Sequence, residues 1–86
     1  MDINLDELFV WNSFNAESFS DMPHPNDDMI VVVANAAHPF IAVYDCNGLN
    51  DEQRFEVARL HGIRITQGCN YHYNVVRRIG NTYLLN

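Results

Sequence analysis

The sequence predicts a small α+β domain, and three observations carry that reading. Residues 30–34 and 40–45 are rich in β-branched and aromatic side chains and read as strands. Asn50, with Gln53 three residues on, forms a capping box ahead of a helical stretch. Gly80-Asn81 separates two more strand-like stretches as a two-residue hairpin loop. Consecutive antiparallel pairing then gives a sheet of about five strands (30–34, 40–45, 63–66, 71–79, 82–85), a central helix over 51–61 and a short N-terminal helical segment.

Each element has a local cause. In residues 3–22, Leu5, Leu8, Phe9 and Trp11 fall near helical spacing, and Asn4 is placed to cap ahead of Asp6 and Glu7, so one or two short amphipathic helices are expected. Met22-Pro-His-Pro-Asn-Asp-Asp28 breaks the chain, because its prolines lack amide donors and push the residues before them toward extended backbone. Residues 23–28 are therefore a linker between an acidic segment (1–22) and an α+β core (29–86) of one domain. Ile30-Val-Val-Val-Ala34 carries no charge, as suits a strand covered on both faces. A short connection at 35–39 and a turn at Asp45-Cys-Asn-Gly48 bracket the second strand.

In the central helix Asp51 and Glu52 sit at the positive end of the dipole, Arg59 suits the far end, and Gly62 followed by Ile63 reads as a left-handed stop. Phe55 and Ala58, with Val57 and Leu60, point to the core. A short strand at 63–66 and a turn at 68–70 lead to the terminal hairpin. There Ile79 faces Thr82 and Arg78 faces Tyr83, which puts Val76, Arg78, Tyr83 and Leu85 on one side and Arg77, Ile79 and Leu84 on the other.

Charge is distributed unevenly along the 86 residues. The first twenty-eight hold Asp2, Asp6, Glu7, Glu17, Asp21, Asp27 and Asp28 with no cation, a charge of −7. The remainder sets five arginines against four carboxylates, +1, which sums to the net −6. This balance disfavours direct binding to nucleic acid, which needs a cationic surface to displace counterions. A chain this short buries only roughly 60–65% of its unfolded surface, which argues against a large internal active site. The longest apolar run is far below the ~20 residues of a membrane span, so the expectation is a soluble, cytoplasmic protein. Two cysteines are too few for a disulfide framework.

The acidic, aromatic front of the chain is the leading candidate site. Asp6, Glu7, Glu17, Asp21, Asp27 and Asp28 would supply steering and phosphate-like contacts to a basic protein surface, with Trp11 and Phe14 as aromatic anchors. The expected function is a non-enzymatic inhibitor or adaptor, a nucleic-acid mimic of the type phages and plasmids direct at host defence or nucleic-acid machinery. No cofactor, metal, membrane or direct nucleic-acid contact is expected. The ligand-type residues His24, His38, Cys46, His61, Cys69 and His72 lack paired metal-site spacing, and the four glycines stand singly rather than in a phosphate-binding loop.

Two rival readings remain. Asp45-Cys46-Asn47-Gly48-Leu49 ahead of a helix, with His72 opening a Val-rich strand, distantly resembles the Asp-Cys-Ser-Gly and His-strand elements of NlpC/P60 cysteine peptidases, with Asn47 in the serine's place. The resemblance covers about a third of the chain and implies a hydrolase or transferase with Cys46 as nucleophile and His72 as its base, Cys69 standing nearby in sequence. The other rival is an oligomerising structural subunit whose terminal hairpin pairs with a second copy as a homodimer.

Overall fold

The uncharged run at the start of the core finds both faces covered because it becomes the middle strand of the sheet. The computed structural model describes residues 2–13, 22–34, 40–66 and 76–85. Within these the chain forms α1 (Leu5–Leu8), β1 (Phe9–Ser13), β2 (Met29–Ala34), β3 (Phe40–Asp45), α2 (Asp51–Thr66), β4 (Val76–Ile79) and β5 (Thr82–Leu85). The strands lie in the order β1-β3-β2-β5-β4. This is the expected α+β architecture, with a mostly antiparallel five-stranded sheet and a central helix.

Alternation along β2 and β3 divides the core in two. Ile30, Val32, Ala34, Ala42 and Tyr44 face α2 and join Leu5, Cys46, Val57, Ala58, Tyr83 and Leu85. Val31, Ile41 and Val43 face the other way and gather Trp11, Met22, Met29 and Val33 around them. Fully burying such an aliphatic side chain contributes about 1.5–3 kcal/mol. The sheet is therefore anchored from both sides.

Three departures from the sequence-based expectation have physical causes. Residues 9–13 form a strand rather than continuing the N-terminal helix, because β1 completes the sheet edge by pairing antiparallel with β3. α1 is one turn long: Asn4 caps it as expected, its side chain accepting from the Asp6 N–H at 3.0 Å, and at Phe9 the backbone is extended. Second, 63–66 is not a strand. α2 runs through Gly62, which is buried and not among the positive-φ glycines, Gly48 and Gly80. Packing of Leu60 and Ile65 against the core outweighs both the roughly 1 kcal/mol helix cost of glycine and the β preference of Ile63 and Ile65. Third, β5 pairs with β2 in parallel, since α2 serves as a crossover connection.

The hairpin register is as read, with Arg78 opposite Tyr83 and Ile79 opposite Thr82. Val76, Tyr83 and Leu85 join the helix-side core. The expected strand residues 71–75 lie outside the described residues. The capping box is also present: the Gln53 N–H donates to Asn50 Oδ1 at 2.8 Å and the Asn50 N–H to Gln53 Oε1 at 3.0 Å.

Candidate functional site

Three short connections meet at one end of the sheet, and Arg54 ties two of them together. The turn before β2 is set by Asn26, whose side chain accepts from the Asp28 N–H at 2.9 Å. The loop after β3 is set by Asp45, which accepts from the Asn47 N–H at 3.0 Å, and by Gly48 at φ +83°. A Cys46 N–H to Asp28 carbonyl bond of 2.6 Å joins these two connections. From the first turn of α2 the Arg54 guanidinium donates to the carbonyls of Leu49 (3.3 Å), Asp27 (3.2 Å) and Cys46 (3.3 Å). In the β4–β5 turn, the Asn81 amide donates to the Asn26 carbonyl at 3.2 Å. The positive charge of Arg54 is spent on backbone oxygens, so the carboxylates of Asp27, Asp28 and Asp45 stay exposed around it.

Three of the other four arginines are also engaged. Arg78 pairs with Asp51 at 2.7 Å, Arg64 with Asp6 at 3.1 Å, and Arg59 with Glu56. Hydrogen bonding to Arg59 holds the Glu56 carboxyl below its usual range. Asp2, Glu7, Asp27, Asp28, Asp45 and Glu52 are exposed, and the ion pairs seen among the described residues go to Asp6, Asp51 and Glu56 instead.

The expected site residues therefore divide. Asp27 and Asp28 face solvent at the sheet end described above, and Glu7 is exposed on α1. Asp6 is exposed too but lies against Arg64. Trp11 is half-buried and packs on the sheet face away from α2, so much of its surface belongs to the fold. Phe14, Glu17 and Asp21 lie outside the described residues.

The Cys46 thiol is poorly placed for nucleophilic work. It has no exposed surface, and burial pushes it up to about 11 against the opposing influence of Arg54. Its proposed partner His72, like Cys69, lies outside the described residues. Among the described residues no group of three or more His, Cys, Asp or Glu is placed to hold a metal ion, and no helix is long and apolar enough to cross a membrane.

A cavity of about 230 Å³ lies between β1, β3 and α2. A β-bulge shapes it. Phe9 pairs with Tyr44 and Trp11 with Val43, so Val10 is an extra residue on the edge strand. The extra residue turns Phe9 and Trp11 to opposite faces, and Phe9 and Asn12 line the cavity with Phe40, Ala42 and Tyr44 of β3. His61, Arg64 and Ile65 of α2 form the opposite wall. The Tyr44 hydroxyl meets His61 Nδ1 at 2.8 Å, and the two rings stand edge to face with centroids 5.6 Å apart.

His61 is only 4% exposed, and burial together with the Arg64 charge holds its imidazole down to about 4, so it is neutral at pH 7. Burial also raises the Tyr44 hydroxyl, which stays protonated. The direction of its bond with Nδ1 depends on the imidazole tautomer, and Nε2 is an enclosed atom with no partner among the described residues. The sequence reading missed this cavity. Val57, Ala58, His61 and Ile65 share one helical face, the signal that would have drawn His61 and Ile65 inward.

Compared with known proteins, the chain matches no family model, no curated protein and no solved structure.

Proposed function

We propose that this protein is a small acidic, non-enzymatic binding protein, an inhibitor or adaptor that occupies a basic surface of a nucleic-acid-handling or host-defence protein. One observation supports this above the rest: the arginines are turned to internal partners or placed on β4, and the carboxylates at the turn end of the sheet are left exposed without them. Exposed carboxylates on short, hydrogen-bonded turns keep fixed positions, so a cationic partner meets a preformed array with little ordering cost. Such an array presents acceptor oxygens to arginine forks much as a phosphate backbone does. The buried, high-pKa thiol of Cys46 weighs against the cysteine-dependent alternative.

The test is capture from an extract of the source cell on the immobilised chain, with the combined Glu7→Gln, Asp27→Asn and Asp28→Asn variant alongside. A basic protein held by the parent, released by salt and lost from the variant is the expected result. Equal retention by both overturns the electrostatic mechanism. Point substitutions are the right tool, because deleting residues 1–28 would also remove the edge strand β1.

A further inference from the structure

We propose that the outer edge of β4 is a docking strand for an acidic, extended segment of a partner protein, which adds antiparallel to it as a sixth strand. Among the described residues the sheet ends at β1 on one side and at β4 on the other. The two edges differ. β1 is interrupted by its bulge at Val10, which breaks the regular spacing a new strand needs. β4 runs in unbroken register with β5 from Val76 to Ile79. The Gly80-Asn81 loop makes Ile79 and Thr82 the pair that closes the hairpin, so the ladder bonds to β5 fall on Ile79 and Arg77. The backbone N–H and C=O groups of Val76 and Arg78 therefore point outward, where an added strand pairs with them.

Charge chooses the occupant. β4 is the only described strand that carries a cation, and it holds Arg77 and Arg78 with no carboxylate. The Arg78 side chain is held on the helix side, where it pairs with Asp51 at 2.7 Å, donates to the Gly80 carbonyl at 2.8 Å and lies 5.9 Å from the centre of the Tyr83 ring. Arg77 is exposed on the other face without an ion pair among the described residues, beside Ile79, which is 64% exposed. A second copy of the chain fits this edge badly, because antiparallel registers centred on β4 set Arg77 or Arg78 against its own copy, and like charges directly opposite destabilise a sheet. A segment that alternates carboxylates with apolar residues fits it well. Its carboxylate takes the close, non-hydrogen-bonded position opposite Arg77, and its apolar residues make the backbone bonds to Val76 and Arg78.

The experiment is a two-dimensional ¹⁵N NMR titration of the full chain with a short end-capped peptide alternating Glu with Val. Saturable shifts are expected on Val76, Arg77, Arg78 and Ile79. Affinity should fall about fivefold when Gln replaces Glu in the peptide, and about fivefold in the Arg77→Gln variant, as an opposite-charge cross-strand pair requires. N-methylation of the peptide's Val amides should abolish the shifts, whereas N-methylation of its Glu amides should leave them, because only the Val amides face β4. Arg77 is exposed, so its substitution leaves the core intact and the comparison stays readable. Absence of saturable shifts, equal affinities for the Glu and Gln peptides or for the parent and Arg77→Gln, or equal effects of the two N-methylations overturns the proposal. So do shifts on β4 that follow protein concentration without peptide, accompanied by a dimer mass in light scattering, since the edge would then belong to a second copy.

Discussion

The turn end of the sheet and the wall of the cavity behind β1 hold unpaired polar groups of two kinds, one exposed and one enclosed. At the turn end, Asp27, Asp28 and Asp45 are acceptors without cations, because Arg54 gives its donors to backbone carbonyls. Beside the cavity, His61 Nε2 is an enclosed nitrogen with no hydrogen-bond partner among the described residues. Water resolves the first mismatch at almost no cost, since an exposed carboxylate is solvated whether or not a cation is near. It cannot reach the second. An exposed surplus of charge therefore speaks about steering and partners, whereas an enclosed unsatisfied group is a cost carried by the native state itself.

This difference predicts where stability resides. The largest effect belongs to His61. Its imidazole titrates at about 4 in the folded chain and near 6.5 when unfolded. The unfolded state takes up a proton as pH falls through 6.5, and the folded state resists until about 4. Stability is therefore full above pH 6.5 and declines below it by an amount on the order of 3 kcal/mol. Urea midpoints measured between neutral pH and about pH 4 should show this loss in the parent and a smaller one in His61→Phe. Parallel curves would remove His61 from the cavity's energetics.

Next comes the clasp. Arg54→Gln shortens a side chain that holds three carbonyls, and should lower stability by about 2 kcal/mol, read from the urea midpoint. The comparison is Arg77→Gln on β4, exposed and without an ion pair among the described residues, which should cost less than about 0.5 kcal/mol. Equal costs would mean that the Arg54 bonds do not order the turns. The smallest effect is that of neutralising Glu7, Asp27 and Asp28 together. Stability should stay within about 0.5 kcal/mol of the parent, because exposed carboxylates with no cation to lose contribute through solvation alone. A larger loss would show them to be structural.

What was legible in the sequence followed locality. The β-branched and aromatic runs at 30–34 and 40–45, the Asn50/Gln53 box and the Gly80-Asn81 turn each carry their own local signal, and those elements and the hairpin register were read correctly. β1 was missed because Phe9, Val10 and Trp11 are consecutive apolar residues. The bulge that places them on a sheet erases the period-two alternation that would have announced a strand. The last turn of α2 was missed because Gly62 with Ile63 reads locally as a stop, and only packing against the sheet keeps the helix going. The cavity draws on three elements and a bulge. No single stretch of sequence encodes it.

The most direct test of the outward-facing acidic end is the association rate of the captured basic partner as a function of ionic strength, for the parent and for the Glu7, Asp27 and Asp28 neutral variant. The account predicts fast association at low salt that falls steeply as salt rises, with a slower rate and a shallower slope in the variant. Identical rates and slopes for the two proteins would contradict it.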